Sequence, residues 1–342
     1  MRPRTPGRRS PLSLLAVLFA AAAGCSDDGG GGGPADLRPA IDQAADLTVA
    51  PDLAPASLWS ARTSGTAADL HAAWGSSATD LFLVGDAGTI LHSIDGHTFV
   101  AQAAPLQLAL RAVWGSGPTD VYAVGDAGTL LHYDGAAWSA RGSGVRLDLF
   151  GVGGTSASDV YAVGAMGLIL HSTDGGASWP AVPPLDPPLG STLRTVVAVG
   201  MTVWAGGDAG NLVIHTDHFG PFTWILRNIS SPENVMSLYV TTAAPLGLWS
   251  AADDGSLRYS FDGLIWPRQP GAPATPMRGV WGSSDGDVYA VGDGGVIYHL
   301  TALHPPFAVE DGGTTRRLEA VWGSGAGDVY AVGQAGTILH RN

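Results

Sequence analysis

Short apolar runs that alternate with small or polar residues return in one order along this chain, each run closed by Gly and Asp. The stretch at 112–138, AVWGSGPTDVYAVGDAGTLLHYDGAAW, shows the unit whole. Its aromatic after the first apolar residue of DVYAVG recurs as Phe82, Tyr122, Tyr161, Trp204, Trp249, Tyr289 and Tyr330, so the chain carries seven units. Their spacings of 40, 39, 43, 45, 40 and 41 residues suit four-stranded propeller blades. Helical repeats of that length would show a 3.6-residue apolar period, and none is present. The pattern therefore predicts an all-β, seven-bladed β-propeller of antiparallel blades.

Within a unit, the AVW segment (Trp74, Trp114, Trp281, Trp322) reads as the first strand and DVYAVG as the second, both alternating at period two. A tight GDAG turn follows, at Gly85–Gly88 and Gly125–Gly128, and GTLLH makes the third strand. Asp-Gly, at Asp95, Asp134, Asp174 and Asp262, closes a hairpin into a fourth strand opened by Phe99, Trp138, Trp179, Trp224 or Trp266. Trp59-Ser60-Ala61-Arg62 repeats the fourth-strand sequence Trp138-Ser139-Ala140-Arg141, yet it precedes the first whole unit, and the last unit stops after its third strand. Strand 58–64 is thus expected to pair with 336–341 and close the ring without a raw edge.

The 342 residues include 49 Gly and 23 Pro, and only 14% are charged. That length suits one or two domains, and the repeat reduces it to one, at 58–342. Ahead of it, Arg2, Arg4, Arg8 and Arg9 precede an apolar run, Leu12–Ala23, which reads as a secretory leader over 1–24, too short to span a membrane. Arg8-Arg9 followed by Pro11 is weak support for twin-arginine export. Small residues before Cys25, the chain's single cysteine, resemble a bacterial lipobox, which implies acylation of that thiol; Ala22 departs from the usual leucine. Cleavage after Ala21-Ala22-Ala23, freeing a soluble exported protein, is the alternative. Residues 25–57 read as a lipid-bearing Gly/Pro/Ala/Asp-rich tether. The expected location is the outer membrane or cell surface. Without the leader, 13 arginines face 30 acidic residues, a net charge of −17. That argues against nucleic acid and against docking on anionic lipid, leaving the acyl anchor as the membrane contact.

Three sets of residues are candidates for chemistry. The third-strand histidines His92, His132, His171, His215, His299 and His340 lie one per blade, so they do not converge on one ion, and the structural reading is favoured; no metal and no cofactor is expected. Asp86, Asp126, Asp208, Asp253 and Asp293 stand in the turns after the second strands, where Asp serves turn amides. The residue that starts each inner strand differs between blades: His71, Arg111, Phe150, Arg194, Arg278 and Glu319. In a propeller these side chains face the channel mouth, and the three arginines suit a carboxylate, a sulfate or an acidic peptide, with loop-anchoring salt bridges as the structural alternative.

Ser172-Thr173-Asp174-Gly175-Gly176-Ala177-Ser178-Trp179 fits the Asp-box pattern, with looser versions at 93–99 and 260–266. Residues 58–342 therefore resemble the BNR/Asp-box and YVTN/WD40-like propeller proteins, including the photosystem II assembly-factor type. That resemblance implies a fold and no activity; WD-repeat propellers also place a histidine in a comparable hydrogen-bond network. Repeats of this kind are also similar to exported families labelled as pilus-tip proteins or glycosidases, labels that rest on fold. Sialidases carry Asp-boxes and need an arginine triad, a tyrosine nucleophile activated by glutamate, and an acidic aspartate. Only Glu233, Glu310 and Glu319 are available, and the Phe-Arg-Ile-Pro signature is absent. The reading is a non-catalytic, monomeric envelope lipoprotein that binds a protein or glycan; a sialidase-like glycosidase and an assembly factor for a membrane or pilus complex are the alternatives.

Overall fold

Seven antiparallel sheets follow one another in chain order, each running from an inner strand outward, as the alternating runs require. The computed structural model describes residues 57–183, 189–216, 224–229, 232–241, 247–272, 274–301 and 307–342. The leader, Cys25 and the tether up to residue 56 lie outside the described residues. Blade 2 is representative, with strands Leu110–Gly117, Asp120–Gly125, Leu130–Tyr133 and Trp138–Ala140. The ring closes as expected: Trp59–Arg62 pairs antiparallel with Thr337–Arg341, with Trp59 opposite Arg341 and Arg62 opposite Ile338. That strand is the fourth of the last blade.

Two blades depart from four full strands. After Trp179 and Trp266 the fourth strand shrinks to single bridges, Leu170 to Ala181 and Arg258 to Arg268. Pro180 and Pro267 stand directly after those tryptophans, and a proline has no N–H for the ladder.

Apolar clusters fill the spaces between neighbouring blades, and one contact repeats around the ring. The second-strand aromatic of one blade meets the fourth-strand aromatic of the next near edge-to-face: Phe82 with Trp138, Tyr122 with Trp179, Tyr161 with Trp224, Tyr330 with Phe99. At the closure Trp59 takes the same place against Tyr289, with centroids 6.1 Å apart and planes at 82°. A second repeat runs along the inner strands, where the Trp of one blade covers the Gly after the Trp position of the next. A Cβ on Gly115 would lie 2.6 Å from the Trp74 ring, on Gly323 2.5 Å from Trp281, and on Gly75 2.6 Å from Trp322. The Trp-Gly dipeptide of the repeat is thus a ladder of large residues on vacant positions. Blade 3, which has Gly153 in place of the Trp, precedes Ala198, and blade 4, which has Val197, precedes Val240.

The histidines brace the blades. His92, His132, His171, His299 and His340 each set Nε2 2.7–2.8 Å from the aspartate that opens the second strand (Asp80, Asp120, Asp159, Asp287, Asp328). Each ring also stacks on the second-strand aromatic of its own blade, with centroids 3.9–4.5 Å apart. A Ser or Thr hydroxyl donates to the same aspartate, Ser116 to Asp120 for example. The reading that each histidine satisfies a buried polar group therefore holds for these five.

At His299 and His340 the partner of the other ring nitrogen differs in charge. Nδ1 of His299 lies 2.8 Å from Glu310, whose carboxylate also accepts from Trp59 Nε1 at 2.7 Å and Arg341 Nε at 3.2 Å. Burial works against the imidazolium there, but the Glu310 and Asp287 carboxylates outweigh it and raise the His299 pKa above 6.5. At His340 the same position holds Arg62, 2.8 Å away, and burial together with that cation lowers the pKa. The stability His299 contributes is therefore full below 6.5 and lost as pH rises through its raised value, while that of His340 is present above 6.5 and lost as pH falls through its lowered value. Glu310→Gln tests this, because blade 1 has Gln102 in the same role: it accepts from Trp138 Nε1 at 2.6 Å and its Nε2 meets His92 Nδ1. The variant is expected to fold and to lower the His299 pKa. The wild-type margin in melting temperature over the variant should shrink from about pH 6 to about pH 9; a constant margin contradicts the charged pair.

Candidate functional site at the channel mouth

Each inner strand slips by one residue against its neighbour at one point. Pairing passes from Leu70 to Ala72, Leu110 to Ala112, Leu149 to Gly151, Leu193 to Thr195, Val235 to Ser237, Met277 to Gly279 and Leu318 to Ala320. The skipped residues are His71, Arg111, Phe150, Arg194, Met236, Arg278 and Glu319. A bulge re-aims its side chain, and these seven line one cavity of about 160 Å³ at the channel mouth. All six positions singled out in the sequence are brought together. Met236 is the seventh, in an inner strand, VMSLYV, that lacks the Ala-Val-Trp hallmark; only its place after the buried apolar Val235 signals it. Below the mouth the channel is walled by small residues, among them Ala72, Ala112, Gly151, Ser237 and Gly279.

The turn aspartates were expected to serve amides of their own turns, but among the described residues their side-chain hydrogen bonds run elsewhere. They reach across to the inner strand instead. Asp126 takes Arg111 in a fork, Nε at 2.8 Å and Nη2 at 2.9 Å; Asp293 takes Arg278 at 3.0 and 3.2 Å; Asp208 meets Arg194 Nε at 2.7 Å; Asp86 meets His71 at 2.7 Å. Asp253 holds the amide and side chain of Asn234. In two blades whose mouth residue is not a cation the turn residue differs: Ala165 beside Phe150, and Gln334 in the blade of Glu319, which pairs with Arg317 at 2.5 Å; the blade of Met236 keeps Asp253. The hairpin aspartates do serve amides. Asp95 accepts from His97 and Thr98, and hydrogen bonds from Ser178 hold Asp174 down to about 2.

Asp126 and Asp293 raise the Arg111 and Arg278 pKa values further above the ordinary one. The arginines stay reachable, since the Arg111 and Arg194 side chains are 32% and 31% exposed. Arg194 commits only Nε to its aspartate, and its guanidinium lies 6.0 Å from the Phe150 ring centroid. Its outer N–H groups thus share the mouth cavity with two uncharged side chains, Phe150 and Met236. The arrangement suits a carboxylate carried next to an apolar group.

Tyr122, Tyr289 and Tyr330 are buried, and burial pushes Tyr122 and Tyr330 up to about 12. No tyrosine lines the mouth cavity. Among the described residues no group of three or more His, Cys, Asp or Glu side chains is placed to hold a metal ion.

No family model matches the sequence, and no curated relative matches it. Solved structures do. One described as YCF48 bound to D1 peptide superposes with a TM-score of 0.68 at 16% identity, over 84% of this chain and 98% of that one. YCF48 from Cyanidioschyzon merolae gives 0.67 at 16%, over 83% and 98%. At such identity the likeness is one of fold, the seven-bladed propeller.

Proposed function

We propose that this protein is a non-catalytic binding scaffold whose propeller docks a segment of another protein across its channel mouth. The observation that carries the reading is the meeting of seven bulged, non-repeating side chains in one cavity, while the rest of each blade repeats. A scaffold with no selected ligand has no need of five residue types, three of the seven being arginine, at one repeated position. The arginines favour a carboxylate-bearing segment, and the likeness to a propeller described as bound to a peptide supports a polypeptide partner. An assembly role, in which the scaffold holds one component of an envelope complex, fits the same geometry. A glycosidase reading lacks a tyrosine and glutamate pair at the mouth.

The test is a pull-down from envelope extract with the full chain beside Arg111→Ala, Arg194→Ala, Arg278→Ala. Loss of a partner from the triple variant is the expected result; equal retention places the interface elsewhere on the ring. Presentation from a lipid anchor at Cys25, on the outer membrane or cell surface, belongs to the same proposal: a tether lets a rigid ring search for its partner. Cys25→Ser should move the protein from the membrane fraction to the soluble one, and an unchanged distribution favours cleavage at the alanines.

A further inference from the structure

The blades are not braced alike. Where the other braced blades open the second strand with aspartate, blade 4 has Thr202, and its His215 stacks on Trp224 at 5.0 Å. The next blade's Asp-Gly hairpin departs from the repeat at the same junction. It carries Phe261, Leu264 and Ile265, 67%, 57% and 65% exposed, and the last two stand where blade 1 has His97 and Thr98 and blade 2 has Ala136 and Ala137. Between these two departures lies a cavity of about 310 Å³, walled by Trp204, Ile214, Ile225, Leu248, Phe261 and Leu264. It runs along the outer strands of blade 4, from the Thr202–Thr216 pair at the end away from the mouth turns to Arg227, which pairs with Leu212.

Two charged residues share the cavity. Arg227 lines it, and among the described residues its guanidinium has no carboxylate or hydrogen-bond partner. Asp262 lines it too, but its Oδ1 is committed to the hairpin, accepting from the Leu264 and Ile265 amides and the Ser260 hydroxyl. Asp262 is thus held in place by its own hairpin, and Arg227 is the charged side chain of the cavity that has no partner among the described residues. An unpaired arginine next to apolar surface suits a ligand that supplies an anion and an apolar body together.

We propose that the junction of blades 4 and 5 is a second binding site, for an amphiphile made of one carboxylate and an acyl-like apolar body. The body packs on Trp204, Leu248 and Phe261, and the carboxylate meets Arg227. This site is independent of the channel mouth, so failure of either reading leaves the other standing.

Calorimetric titration of the full chain with decanoate, decanol and decylammonium tests it. Decanoate should bind saturably at one site, roughly tenfold more tightly than the other two. Arg227→Gln should erase that advantage and leave decanol binding unchanged, and Leu264→Asp should weaken both, decanoate the more because the new carboxylate also repels it. Both substituted side chains are exposed, so melting temperatures should stay at the wild-type value; should Leu264→Asp melt lower, the Arg227→Gln comparison decides alone. Absence of saturable decanoate binding, decylammonium binding as tightly as decanoate, or a decanoate affinity indifferent to Arg227→Gln would overturn the proposal.

Discussion

Trp59→Ala is expected to destabilise the propeller by about 4 kcal/mol, and removal of residues 58–64 is expected to make it aggregate. Trp59 is 5% exposed, fills the aromatic contact with Tyr289 that every other junction of this kind fills from within the repeat, and donates to Glu310 across to the preceding blade. Truncation removes the indole, leaves a cavity, and takes one donor from a nearly buried carboxylate, so the cost is not at the low end of the tryptophan range. For a domain of this size the melting temperature should fall by roughly 10 °C. Trp59→Phe keeps the edge contact and loses the hydrogen bond, so about 2 kcal/mol is expected. The deletion does more: it strips the pairing partner from Thr337–Arg341 and removes the Arg62 contact to His340, leaving a free edge. Light scattering and thermal melting check both variants. A truncated protein that stays monomeric and melts unchanged would show that ring closure does not depend on this strand.

Gly115→Ala should cost about 2 to 3 kcal/mol although it adds a single methyl group to a strand. The new Cβ would stand 2.6 Å from one Trp74 ring atom and 2.8 Å from another, with the Asp120 carbonyl at 2.9 Å. Trp74 belongs to the preceding blade, so the strain falls on the junction and not within one sheet. A double-mutant cycle with Trp74→Ala separates the causes. If the indole is the obstacle, alanine at 115 should be cheaper by at least about 1 kcal/mol once Trp74 is gone. An additive cycle would put the cost on the Asp120 carbonyl and take away the ladder. The contact of Trp322 with Gly75 joins the last blade to the first, so the same substitution at 75 should behave alike and also load the closure.

Both effects are large because each blade is stable only against its neighbours. A four-stranded sheet of valine, alanine and leucine has two apolar faces and no helix to cover either, so stability resides at the junctions. The five Asp–His braces and the aromatic pairs across blades serve the same end.

Period-two alternation, Gly/Asp turns and the fourth-strand sequence at Trp59 lie within a few residues of one another, and they determine the strands, the number of blades and the manner of closure from sequence alone. The same regularity marks the mouth positions, because a side chain that varies inside an otherwise repeated strand stands out by itself. What the sequence does not carry is register between strands. The seven bulges that turn these side chains into the channel exist only as a slip of one strand against the next, and Met236 joins the set only once its strand is seen to slip at the same place. Asp126 meets Arg111 from fifteen residues away across a hairpin, so its role could not be told from that of an ordinary turn aspartate. The Trp-Gly dipeptide shows its two residues side by side in the chain, yet the tryptophan presses on the glycine of the following blade, some forty residues on. Local periodicity sets the elements because backbone hydrogen bonding and side-chain alternation act over a few residues; the tertiary structure decided the partners, because packing joins whichever faces the closed ring brings together.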